Sequence, residues 1–182
     1  MHERLGIPKG EVPALREMYY KTYGTTLKGL QIHYHVEPDE YLAFVHELPL
    51  SLYLQPNLAL REILLSLPQP KWIFTNADSA HANRVITRLG LEGCFKGIID
   101  IYALDFMCKP QEEAYYRALA LAGEDSAECC TLFDDSPRNL TPALEMGFYT
   151  VLVGKNESNS GACKTIANLG DLVEVMPELW DG

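Results

Sequence analysis

The chain changes its hydrophobic rhythm near residue 70. The apolar run Trp72-Ile73-Phe74 stops abruptly at Thr75-Asn76-Ala77-Asp78, and Ser79 to Gly90 follows with Val85, Ile86 and Leu89 at helical spacing. Gly90 stands where a left-handed C-terminal residue is wanted. The pattern predicts a buried strand over 71–76, a polar tip, and a helix over 79–89. Ligands of open α/β sheets gather at such strand ends. A helix N-terminus there is expected to offer N–H groups and a positive dipole end to an anion.

The same alternation continues to the end. Gly97 to Ile101 reads as a buried parallel strand. Lys109-Pro110 leads into a helix over 111–121, with Pro at its first turn and Gly123 at its end. Cys130 to Asp135 reads as a strand with an acidic tip, 136–146 as a helix despite Pro142, and Phe148 to Val153 as a further strand. Leu172-Val173-Glu174-Val175 is expected to form a short edge strand, and Lys155 to Gly161 a polar loop. Strands alternating with helices predict a parallel sheet covered on both faces, the Rossmann-like three-layer α/β/α arrangement.

Residues 1–68 read differently, as helices without a strand ladder. Val12 to Tyr23 carries Leu15, Met18, Tyr19 and Thr22 on one stripe and ends at Gly24. Pro38-Asp39 opens a segment stopped by Pro49, and Asn57 caps a helix running to Leu67. The expected organisation is a helical cap over 1–68 and an α/β core over 69–182.

Composition narrows the picture. The 182 residues carry a formal net charge of −10, which argues against polymeric nucleic acid or an anionic membrane as partner. No apolar run approaches the ~20 residues of a membrane span. Five scattered cysteines with no zinc-type spacing suit reduced thiols, hence a cytoplasmic protein.

Three predicted strand ends or following loops present chemistry: Thr75 and Asn76, then Lys109, then Asp134 and Asp135. A parallel sheet brings such ends to one edge. A hydroxyl and a lysine suit phosphate oxygens, and adjacent carboxylates suit a hard divalent cation such as Mg²⁺. That inventory serves phosphoryl transfer, where catalysis is mostly positioning and charge stabilisation.

Phe74-Thr75-Asn76, Cys108-Lys109-Pro110 and Phe133-Asp134-Asp135-Ser136 resemble motifs II, III and IV of the haloacid dehalogenase (HAD) superfamily. Tyr23 to Leu30, Leu48-Pro49-Leu50, His81, Leu89-Gly90-Leu91 and Phe95 to Asp100 are similar to its pyrimidine 5′-nucleotidase-like branch. The resemblance implies Mg²⁺-dependent hydrolysis of a phosphate monoester through a phosphoryl-aspartate. In it Thr75 and Asn76 hold the phosphoryl group, Lys109 neutralises it, and Asp134 and Asp135 hold the metal directly or through water. The implied substrate is a small phosphorylated metabolite such as a nucleoside monophosphate, with Tyr23, Thr25 and His81 as candidate contacts. An oligomer is compatible with this sequence.

The first motif of the family, a strand ending in Asp-x-Asp-x-Thr, does not occur in this sequence. In the family that strand lies between those of motifs II and IV and carries the nucleophile. The expectation is therefore a HAD core lacking its first strand, as in a fragment of a longer enzyme. The alternative is a catalytically inactive phosphate-binding or interaction protein of the same fold. Without the strand, 71–76 and 130–134 are expected to keep unmet ladder groups or to close onto each other.

Overall fold

A computed structural model describes residues 1–154 and 161–181. The Lys155 to Gly161 loop expected from the sequence falls almost wholly outside the described residues. Two compact units are present, Met1–Leu48 and Pro49–Gly182.

The first unit is helical: α1 (His2–Leu5), α2 (Val12–Tyr23), α3 (Thr26–Tyr34) and α4 (Pro38–His46). Its centre is the α2–α3 contact, where Tyr19, Leu27 and Leu30 are buried. Gly29 permits that approach, because a Cβ there would lie 2.2 Å from Tyr19 Cγ. Thr25 caps α3, its hydroxyl oxygen accepting from Lys28 N–H at 3.1 Å.

The second unit is α/β. Its elements are α5 (Leu58–Ser66), β1 (Trp72–Phe74), α6 (Ser79–Leu89), β2 (Gly97–Ile99), α7 (Glu112–Ala122), β3 (Thr131–Asp134), α8 (Pro137–Glu145), β4 (Tyr149–Val153), β5 (Lys164–Ile166) and α9 (Leu172–Val175). All strand pairings are parallel. The strands form two sheets, β1-β2 and β3-β4-β5. Among the described residues β1 pairs only with β2, and β3 only with β4, so each keeps an edge without a ladder partner. They do not close onto each other. Phe74 joins the two sheets through side chains instead. It packs against the cluster of Tyr115, Ala127, Ala143 and Phe148, and also against that of Ile99, Leu104 and Ala118.

Several expectations need correction. The division falls between Leu48 and Pro49, not at residue 68. Helix α5 buries Leu64 against Leu91 and Cys94 of the second unit, and Arg88 Nε donates to Leu54 O in the same segment. Leu172 to Val175 is a helical turn, not a strand. The Asn168–Asp171 capping box starts the preceding turn, and Leu172 is buried with Val151, Ile166 and Met176. The fifth strand is Lys164–Ile166, too short for alternation to reveal. Pro110 lies outside α7, whose N-cap is Gln111, and the Lys109–Pro110 bond is cis. Among the described residues no helix is long and apolar enough to cross a membrane.

Candidate active site

The tip of β1 continues one residue beyond the strand, with Thr75 N–H donating to Ile99 O at 3.0 Å. The Thr75 hydroxyl oxygen then accepts from Ala77 N–H at 3.0 Å, which folds the chain over. Asn76 is turned toward another loop. Its Oδ1 accepts from Lys109 N–H at 2.9 Å, and its Nδ2 donates to Lys109 O at 3.0 Å. Asn76 thus clamps the main chain of the lysine 33 positions away.

The α6 N-terminus is not the open anion seat that the sequence suggested. Asp78 accepts from His81 N–H at 2.7 Å as N-cap, and buried Asp100 accepts from Ser79 N–H at 2.8 Å. Two carboxylates already use its dipole and its donors. His81 lies half-buried on this first turn.

Lys109 is the hub. Its side chain is 9% exposed, and Nζ donates to Phe74 O at 3.0 Å and to Asp134 Oδ2 at 2.6 Å. The ammonium also stands 4.7 Å from the Phe74 ring centroid, a cation–π contact. One lysine therefore touches the C-terminal ends of both sheets.

Asp134 and Asp135 part company. The Asp134 side chain is 5% exposed, and each oxygen accepts two hydrogen bonds. Oδ1 takes Ser136 N–H and Asn139 Nδ2, while Oδ2 takes Lys109 Nζ and Asn139 Nδ2. Its lone-pair positions are filled. Asp135 is exposed. Among the described residues no three His, Cys, Asp or Glu side chains gather as a metal cluster. Asp135 fits Mg²⁺, which is commonly held by one or two carboxylates, water and substrate phosphate.

Below this array lies Tyr115, fully buried, its hydroxyl donating to Asn139 O at 2.5 Å. Burial first, then the nearby Asp134 carboxylate and Cys108 thiol, push its phenol far above the ordinary tyrosine range. It is a neutral donor. Tyr23 and Thr25 belong to the first unit. Tyr23 Oη lies 2.9 Å from His33 Nε2, and His33 stacks on Tyr19 with centroids 5.2 Å apart.

A model of haloacid dehalogenase-like hydrolases matches residues 8–147. The chain belongs to that family. Phosphate metabolism protein 8 of Saccharomyces cerevisiae is 33% identical to this HAD chain, covering 81% of it and 50% of the yeast protein. The chain thus spans about half the length of that curated relative. The HAD-hydrolase YfnB of Bacillus subtilis, solved with magnesium, superposes with a TM-score of 0.61 at 18% identity, covering 96% of this chain and 87% of that one. A HAD family hydrolase of Deinococcus radiodurans, solved with phosphate and sodium, gives 0.54 at 20% identity, covering 66% and 57%. These likenesses establish the Rossmann-like α/β HAD fold.

The sequence does not single out Asn139 or Tyr115, and Asp100 enters only within the Phe95 to Asp100 stretch. Asn139 had a usable signal: an amide on the first turn after an acidic strand tip can reach back to that tip. Tyr115, inside an amphipathic helix, is indistinguishable from any core aromatic.

Proposed function

We propose that this chain carries most of the active site of a Mg²⁺-dependent phosphate monoester hydrolase of the pyrimidine 5′-nucleotidase-like kind. The observation that carries the reading is the buried Lys109, gripped by Asn76, ion-paired to Asp134 and set at the ends of β1 and β3. An ammonium has three N–H groups. Two are used on Phe74 O and Asp134, and the third is assigned to a phosphoryl oxygen. Thr75 accepts from Ala77 through its oxygen and keeps its own proton for a second phosphoryl oxygen. Asn76 acts on the phosphate through Lys109. Asp135 is the carboxylate that would hold Mg²⁺, while Asp134, its oxygens engaged by Lys109, Ser136 and Asn139, would serve the site by anchoring Lys109; when bound, the ion neutralises phosphoryl oxygens.

The nucleophile is proposed to be an aspartate on a strand ending in Asp-x-Asp-x-Thr, seated on the unpartnered edges of β1 and β3. Support comes from those edges and from the half-length match to the yeast relative. The proposed substrate is a small phosphorylated metabolite of the nucleoside monophosphate class, with His81 as the candidate contact from the second unit. The scattered cysteines, without zinc-type spacing, support a cytoplasmic location.

The second reading is a phosphate-binding or interaction protein of the same fold. It is favoured by the way Lys109, Asp134 and Asn139 satisfy one another without a nucleophile. Calorimetric titration with inorganic phosphate, with and without Mg²⁺, tests what the readings share. Binding should depend on Lys109 and vanish in Lys109→Met. Equal binding by the variant would remove the basis of both.

A further inference from the structure

The Lys109–Asp134 pair spans two sheets that share no strand ladder among the described residues. Its geometry therefore has to be set by side chains. Lys109 is fixed on the β1 side through Asn76 and the Phe74 carbonyl, and Asp134 is fixed from α8 through Asn139. One residue touches both supports. The Tyr115 ring meets Phe74 edge-on at 5.4 Å and 90°, and its hydroxyl donates to Asn139 O.

The hydroxyl is not needed to satisfy that carbonyl, since a helix carbonyl has its own donor four residues on. The turn beside it is weakened instead. Pro142 lacks the N–H that would bond the carbonyl of residue 138, so this part of α8 has one bond fewer of its own. A fully buried phenol also costs stability unless it is paired, whereas phenylalanine would fill the same apolar cluster without that demand.

We infer that Tyr115 is a positioning residue for the phosphate site. It braces Asn139 against Phe74 and so sets the separation of Asp134 and Lys109. The inference rests on the proposed role of Lys109 in phosphate binding.

The test is acylation of the whole chain with a limiting amine-reactive ester, with lysine occupancies read by mass spectrometry. In the wild type Lys109 reacts slowly. In Tyr115→Phe its acylation rises about three- to tenfold, the equivalent of one hydrogen bond. Lys71 and Lys164 keep their rates, and inorganic phosphate binds more weakly by a similar factor. Tyr116→Phe, at an exposed position on the same helix, changes nothing.

A wild-type Lys109 rate in Tyr115→Phe overturns the inference. So does a rise shared by all three lysines, which would mark general loosening. Asn139→Ala, which cuts the same route one step later, must expose Lys109 as well; a protected Lys109 there also overturns it. Should phosphate binding prove indifferent to Lys109→Met, the functional reading fails, while acylation still decides the brace.

Discussion

Asn76 holds Lys109 by its main chain, using both ends of one amide at 2.9 and 3.0 Å. An amide that accepts from an N–H and donates to the carbonyl of the same residue fixes both position and orientation. Aspartate at that position keeps the acceptor and loses the donor. Asn76→Asp is expected to weaken phosphate binding about tenfold, since it removes one half-buried hydrogen bond and adds a negative charge beside the anion site. Calorimetry with inorganic phosphate checks this. Unchanged affinity would mean that the clamp has no bearing on the lysine.

The two adjacent aspartates should separate cleanly. Asp134→Ala strands the buried Lys109 charge and leaves Asn139 without its acceptor, so it should cost about 3–5 kcal/mol of folding stability. Asp135→Asn, at an exposed position, should change stability by less than about 0.5 kcal/mol and still reduce Mg²⁺-enhanced phosphate binding. Urea unfolding and calorimetry give the two readings. The reverse pattern would exchange the assigned roles.

Gly97 pairs directly with Trp72 across β1 and β2, and the indole lies over it: a Cβ would stand 2.4 Å from Trp72 Cζ3. Gly97→Val therefore displaces the ring. The expected loss is about 1–3 kcal/mol, measured by urea unfolding. Trp72 fluorescence should shift with it, because Lys96 also stacks on that ring. Unchanged stability and emission would mean that the strand absorbs the side chain.

In the first unit Gly29 is the corresponding point. Gly29→Leu sets a branched side chain against buried Tyr19, and the His33 stack depends on that ring. The expected result is loss of far-ultraviolet helical signal at lower temperature, with the second unit's melting unchanged. A single unaltered transition would show that α2 and α3 part without cost.

How much of this was readable from the sequence follows from which physical signals are local. Strand tips at Thr75 and Asp134 announce themselves, because an apolar run ending in polar groups has one ready explanation in a parallel sheet. The cap at Asn57 is equally local. What stayed hidden depends on distant partners. Nothing near Asn76 indicates that its amide faces Lys109 and not a ligand. Nothing near Asp100 indicates that it covers the α6 N-terminus. The 172–175 segment, with three apolar residues of four, reads as a strand, yet the capping box before it and burial of Leu172 make it helical. Asp105 and Phe106, both with left-handed backbones, have no glycine to mark their turn.

If β1 and β3 accept a strand carrying the nucleophilic aspartate, Lys109 serves phosphoryl transfer once that strand is in place. The most direct measurement joins such a strand, ending in Asp-x-Asp-x-Thr, to the chain and assays phosphate release from nucleoside monophosphates. Mg²⁺-dependent release is expected, and it should disappear in Lys109→Met and in a variant lacking the first aspartate of the added strand. A folded product that binds inorganic phosphate through Lys109 but releases none would contradict it, and leave phosphate binding as the function of the site.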